Sequence, residues 1–255
     1  MIDFEYLTSF HSLLGSEKSV ARSLNMRDLQ FENNKYYHIY DRGVDKRKIF
    51  LSDYDYSRFC DSLFLFNDSN YQHSGVPIDK VVKLTAPDLY ASERDPLINM
   101  IAYTLIPNHF HFFVEQLQDQ GISKFLHKVK KAYSWVFNKR NDRSGALFEG
   151  NFKATQIKSE AHFKHMIPYT HLNVLDLTDH DWKSGSVENW SAALRFMDEY
   201  KWSSHGIYCD KEQEYPIVDQ EVVSRFYSSK EDYLEHVCAW STREMKDLLS
   251  QLATQ

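Results

Sequence analysis

Two apolar runs, Ile98–Ile106 and His109–Val114, are separated only by Pro107-Asn108. Runs of this composition, joined by so short a turn signal, predict an antiparallel hairpin. The flanking segments supply the rest of a sheet. Tyr36 to Asp41 (YYHIYD) is aromatic and β-branched, and Asp41-Arg42-Gly43 closes it as a turn. Ser52 is a candidate cap for a helix with Tyr56, Phe59, Leu63 and Phe66 at helical spacing. Gly121-Ile122-Ser123 precedes a second helix, whose apolar stripe is Ile122, Phe125, Val129, Tyr133, Val136 and Phe137. Asn141 to Gly145 ends it. A strand is expected within Phe148–Ile157, and Ser159 caps a further helix containing HFKHMIPYTHLN. The order strand, helix, strands, helix, strand, helix predicts an α+β fold, an antiparallel sheet with helices on one face. Residues 67–80 and 86–96 read as loop around a short strand at Val81–Leu84, and residues 187–209 and 219–250 read as later helices. The chain of 255 residues divides into an N-terminal extension (1–34), a core (35–178) and a C-terminal helical extension (179–255).

Composition narrows the class. An apolar share of 42% argues against disorder. Cys60, Cys209 and Cys238 are odd in number and lack CxxC spacing, which disfavours a disulfide framework or a thiolate zinc site. Neither a signal peptide nor a membrane span is expected, so the protein is read as cytosolic. The net charge of −6 argues against a nucleic-acid partner, but its distribution reverses the argument. Ten Lys/Arg and three acidic residues lie between Ser123 and Lys164. Such a segment is either a basic face aimed at an anionic polymer or simply a solvated helix surface.

The chemistry-bearing residues sit on these elements. On a strand, positions i and i+2 share a face, so His109 and His111 project together while Phe110 and Phe112 point the other way. Two adjacent imidazoles can hold a divalent ion, although packing explains most such pairs. On a helix, Tyr169 and Asn173 share a face and present a phenol beside an amide oxygen. The oxygen suits a hard ion, and the phenol suits covalent phosphoryl transfer. A half-buried core tyrosine is the competing explanation. Pro168, just before it, would remove a helix hydrogen bond and kink the chain to orient Tyr169, unless the helix starts later than Ser159 suggests. His162, His165 and His171 are further candidates, with His165 in line with Tyr169 and Asn173. Tyr133 is a rival nucleophile, but its place on an apolar stripe favours packing.

Taken together, these motifs resemble a known family. AYTLIPNHFHFFVE is similar to the hairpin of HUH transposases, and most of all to that of the REP-associated tyrosine transposases. YYHIYDRGVDKRKIFLSDYDYSRF, RSGALFEGNFKA, YTHLNVLDL and YKWSSHGIY resemble further segments of that family, in the same order. The likeness spans Tyr36 to Tyr208. It implies a ferredoxin-like HUH nuclease core, with Tyr169 as nucleophile and His109, His111 and Asn173 as ligands of Mg²⁺ or Mn²⁺. It implies cleavage and rejoining of single-stranded DNA beside a hairpin, through a 5′-phosphotyrosine link. The basic residues expected on the DNA are Lys124, Lys128, Lys131, Arg140 and Lys153. The partner is single-stranded or hairpin DNA without a membrane, the protein is a monomer or homodimer, and its place is the bacterial cytoplasm at the nucleoid. Val174 and Glu149 depart from the family pattern, where Pro and Gln are usual. The alternatives are a domesticated, non-cleaving DNA- or RNA-binding protein on the same fold, a histidine-based zinc hydrolase, and a structural domain.

Overall fold

The computed structural model describes residues 29–71, 93–184 and 187–239. Most of the N-terminal extension, the expected strand Val81–Leu84 and the helical stretch expected beyond residue 239 lie outside the described residues. The core elements run β1 (Tyr36–Arg42), α1 (Asp53–Phe66), β2 (Ile98–Ile106), β3 (His109–Gln116), α2 (Gly121–Arg140) and β4 (Lys153–Ile157). The sheet order is β2-β3-β1-β4, and every neighbouring pair is antiparallel. This is the split β-α-β arrangement of ferredoxin-like folds, as the sequence leads one to expect. β4 is shorter than the expected run, because Phe148 makes only an isolated bridge to Gly43.

Side-chain alternation divides the sheet into two faces. Phe110, Phe112 and Val114 point to the first, where α1 and α2 pack through Phe59, Leu63, Phe125, Val129 and Tyr133. Each fully buried Phe contributes about 1.5–3 kcal/mol by leaving water. α1 begins in a capping box, with the Ser52 backbone N–H donating to the Asp55 carboxylate at 3.0 Å. The second face carries His109, His111 and Phe113. There α3 (Glu160–Leu172) packs, with Phe163 against Phe113 at 4.6 Å between ring centroids.

The hairpin tip that begins β3 is tied to the segment after β1. Pro107 O accepts from the Ile49 and Phe50 N–H groups at 2.7 and 3.0 Å, and Asn108 O accepts from Gly43 at 2.9 Å. Gly43 is required there, because a Cβ would lie 2.3 Å from the Arg47 carbonyl oxygen.

After α3 come α4 (Trp190–Glu199), α5 (His205–Tyr208), α6 (Gln220–Phe226) and α7 (Lys230–Cys238). Trp202 to Ser204 runs along the outer edge of β2: Leu105 N–H donates to Trp202 O, and Ser204 N–H to Tyr103 O, both at 2.9 Å. An edge that would otherwise offer unpaired backbone groups is thereby covered. Tyr208, Tyr227, Tyr233 and Val237 then bury against α3 in the second core.

Candidate active site on the second face of the sheet

The register of β1 and β3 sets the site. Tyr40 lies opposite His111, Arg42 opposite His109, and His38 opposite Phe113. Directly opposed residues share a face, so His38, Tyr40, His109 and His111 form one aromatic patch. The His109 and His111 rings are 5.0 Å apart. The His38 and His111 rings stack at 5.2 Å and 4°. α3 delivers Tyr169 onto this patch, its ring edge-on to His38 at 5.4 Å and to His111 at 6.1 Å. Residues more than fifty positions apart in sequence, a phenol and a histidine pair, therefore meet at one place.

The second ring nitrogens decide what the histidines can do. His109 Nδ1 lies 2.7 Å from Asn108 Oδ1. An amide oxygen only accepts, so Nδ1 carries the proton and Nε2 keeps its lone pair. His111 Nδ1 lies 3.0 Å from His38 Nε2. When His111 donates this bond, its Nε2 is likewise left with a lone pair. Ligating histidines use their other nitrogen in this way, and the donor set fits a divalent ion. Burial lowers all three pKa values: His38 to about 3, His109 to about 4, and His111 well below its ordinary value. The imidazoles are neutral near pH 7, as ligands must be.

Tyr169 is 7% exposed, and burial, with lesser effects from Asp176 and Tyr40, pushes its phenol up to about 12. Asn173 is buried at the end of α3, where its amide Nδ2 donates to the Tyr169 carbonyl at 2.7 Å. Beyond it, Asp176 accepts from Trp182 Nε1 at 2.7 Å and from Lys183 Nζ at 2.6 Å. The Trp182 ring lies 5.7 Å from that of Tyr169. The helical assignment of α3 continues through Pro168. The Lys164 carbonyl, one turn earlier, instead meets the Tyr227 hydroxyl at a long 3.5 Å.

The other expected residues are distributed unevenly. Lys153 pairs with Tyr40 across the strands and lies on the histidine face, its Nζ 5.5 Å from the Tyr40 ring. Lys124, Lys128 and Lys131 are on α2, across the sheet from the histidines. Arg140 is held by Asp55 at 2.8 Å and lies over the Tyr54 ring. His165 packs against His236, and His171 is buried in the second core. Tyr133 is 2% exposed on the opposite face, and its hydroxyl donates to the Ile49 carbonyl. Sequence reasoning missed His38, Tyr40, Asp176 and Lys183. The alternation in YYHIYD places His38 and Tyr40 on one face, but only the strand register puts that face beside His111.

Residues 90–171 match the family model described as Transposase IS200 like. That segment holds the hairpin, α2, β4 and α3 through Tyr169. One similar solved structure is described as the REP associates tyrosine transposase bound to a REP hairpin. It shares 12% identity over 76% of this chain and 90% of its own, with a TM-score of 0.47. No curated protein matches the chain. Among the described residues, no helix is long and apolar enough to cross a membrane.

Proposed function

We propose that this chain is a metal-dependent transposase that cuts and rejoins single-stranded DNA near hairpins through a 5′-phosphotyrosine intermediate. The observation that carries the reading is the meeting of Tyr169 with the His109–His111 pair on the second face of the sheet. The family match over the same segment supports it.

His109 and His111 would hold the ion through Nε2, with the Asn173 amide oxygen as third ligand. Mg²⁺ or Mn²⁺ bound there supplies charge stabilisation at the scissile phosphate. The chain's own residues do the rest. Tyr169 attacks phosphorus in line with the leaving 3′ oxygen, which departs as a free 3′-OH. The phenolic proton must leave first, and a phenol raised to about 12 resists this until positive charge arrives beside it. Reattack by a 3′-OH breaks the phosphotyrosine bond and reseals the strand, so no outside energy is consumed. Lys153, on the same face, would meet the backbone.

The test is a gel for covalent protein–DNA adducts. Wild type, Tyr169→Phe and His111→Ala meet labelled single-stranded hairpin oligonucleotides with Mn²⁺ or EDTA. A metal-dependent adduct lost in Tyr169→Phe is expected. An adduct that survives in Tyr169→Phe sinks the nucleophile assignment. Binding without any adduct moves the reading to a non-cleaving nucleic-acid binder.

A further inference from the structure

A second cluster of ligand-type side chains lies outside the site above. His205 opens α5, and Cys209 follows four residues later, so one helical turn presents imidazole and thiol together. Asp198, near the end of α4, completes the group. One ligand atom from each lies within 4.8 Å of the others.

We propose that Asp198, His205 and Cys209 form a binding site for a thiophilic divalent cation of the zinc class, separate from the His109–His111 pair. The spacing supports this. Zn–S and Zn–N bonds of about 2.3 and 2.0–2.1 Å at a tetrahedral angle require about 3.6 Å between sulfur and nitrogen. Cys209 Sγ and His205 Nε2 are 3.6 Å apart in the protein. The imidazole and thiol are buried at 1% and 6% exposure, while Asp198 is exposed and gives the ion a way in. A water molecule would complete four-coordination.

The other ring nitrogen of His205 is already anchored. His205 Nδ1 lies 2.7 Å from the Tyr233 hydroxyl, which lies 2.8 Å from His171 Nδ1. His171 Nε2 lies 2.7 Å from Ser204 Oγ, which can donate to the Tyr103 carbonyl at 3.2 Å. The chain admits two proton arrangements. In one, His205 Nδ1–H donates to Tyr233, Tyr233 O–H to His171, His171 Nε2–H to Ser204, and Ser204 O–H to Tyr103. This arrangement leaves a lone pair on His205 Nε2, aimed at the sulfur. A bound cation selects it, and second-neighbour bonds of this kind fix the orientation of ligating histidines.

Binding exchanges one proton for one metal. The Cys209 S–H bond breaks, a sulfur–metal bond forms, and the proton leaves to solvent. Two lysines favour the thiolate but oppose the entry of a cation. Lys211 Nζ contacts Asp198 Oδ1 at 2.7 Å and the Asp198 carbonyl at 2.6 Å, and the Lys230 charge also faces Cys209 and His205. The Lys211 ammonium stands where a cation's charge would otherwise be, so metal entry requires it to swing away.

Cobalt is the probe, because a thiolate bound to Co²⁺ gives a near-ultraviolet charge-transfer band. The full chain carries His109→Ala and His111→Ala, so the other histidine pair cannot contribute. One equivalent of Co²⁺ with that band, displaced by Zn²⁺ and absent in Cys209→Ser, is expected. Asp198→Asn, at an exposed position, weakens binding with the fold intact. Tyr233→Phe weakens it by about 10–100-fold, the usual effect of losing a bond to a ligand's other side. No uptake, uptake without the band, or a band that persists in folded Cys209→Ser overturns the proposal.

Discussion

His38 is where a single residue has the largest unrecognised leverage on the site. It stacks on His111, and when it accepts from His111 Nδ1 it leaves Nε2 with the lone pair that the proposed ion would need. His38→Ala should lower Mn²⁺ affinity by about 10–100-fold, as loss of such partners does elsewhere. Electron paramagnetic resonance titration of free Mn²⁺ reads this directly, and an unchanged affinity would reduce His38 to packing. Tyr133 gives the contrasting case. Tyr133→Phe removes a hydroxyl buried against the Ile49 carbonyl on the far face. It should cost about 0.5–1.5 kcal/mol in urea unfolding. It should leave the DNA adduct untouched; loss of the adduct in a folded variant would reopen the choice of nucleophile. These two residues also mark the limit of local reasoning. The stripe position of Tyr133 announces a core residue within its own helix. His38 announces nothing, because its partner lies 73 residues away and only strand register joins them.

At the level of elements, periodicity is informative wherever one face of an element meets one layer. The hairpin, the α2 stripe and the Ser52 and Ser159 caps all follow from spacing. Periodicity does not say which side of the sheet an element takes. The lysines of α2 and the tyrosine of α3 both look outward in sequence, yet the two helices cover opposite faces. Pro168 shows another limit. A proline should break the helix, yet the helix continues past it, and the Tyr227 hydroxyl faces the Lys164 carbonyl that lost its usual partner. Pro168→Ala is therefore expected to keep the adduct and not lower the melting temperature, since Ala is the better helix former. A variant that folds but no longer cleaves would restore an orienting role. The hairpin tip is less forgiving. Gly43→Ala drives a Cβ into the Arg47 carbonyl, within the segment that holds Pro107 and Asn108. A loss of about 1–3 kcal/mol is expected, as for other overpacked sites.

Across the whole molecule, the proposed DNA binding would be divided between the two faces of the sheet. The histidines, Tyr169 and Lys153 share one face, whereas Lys124, Lys128 and Lys131 stand beyond the other. A short single strand seated at Tyr169 cannot lie along α2 without passing around an edge of the sheet. The β2 edge is occupied by Trp202–Ser204, so the route is past β4 and the 145–152 loop. Along that route a groove of about 430 Å³ opens beside α2, lined by His127, Lys130, Lys131, Phe148 and Phe152. Longer substrates should therefore gain affinity from α2, and short ones should not. Replacing Lys124, Lys128 and Lys131 together with Ala should leave adduct formation on a short oligonucleotide within error. On a long hairpin substrate, it should weaken binding and flatten the dependence of log K on log salt by about 0.7–0.9 for each phosphate that is no longer neutralised. Fluorescence anisotropy with both substrates over a salt series measures this. If the triple variant weakens both substrates equally, the basic helix acts only through its general field. If it weakens neither, the charge on α2 is a solvated surface and the DNA path lies entirely on the histidine face.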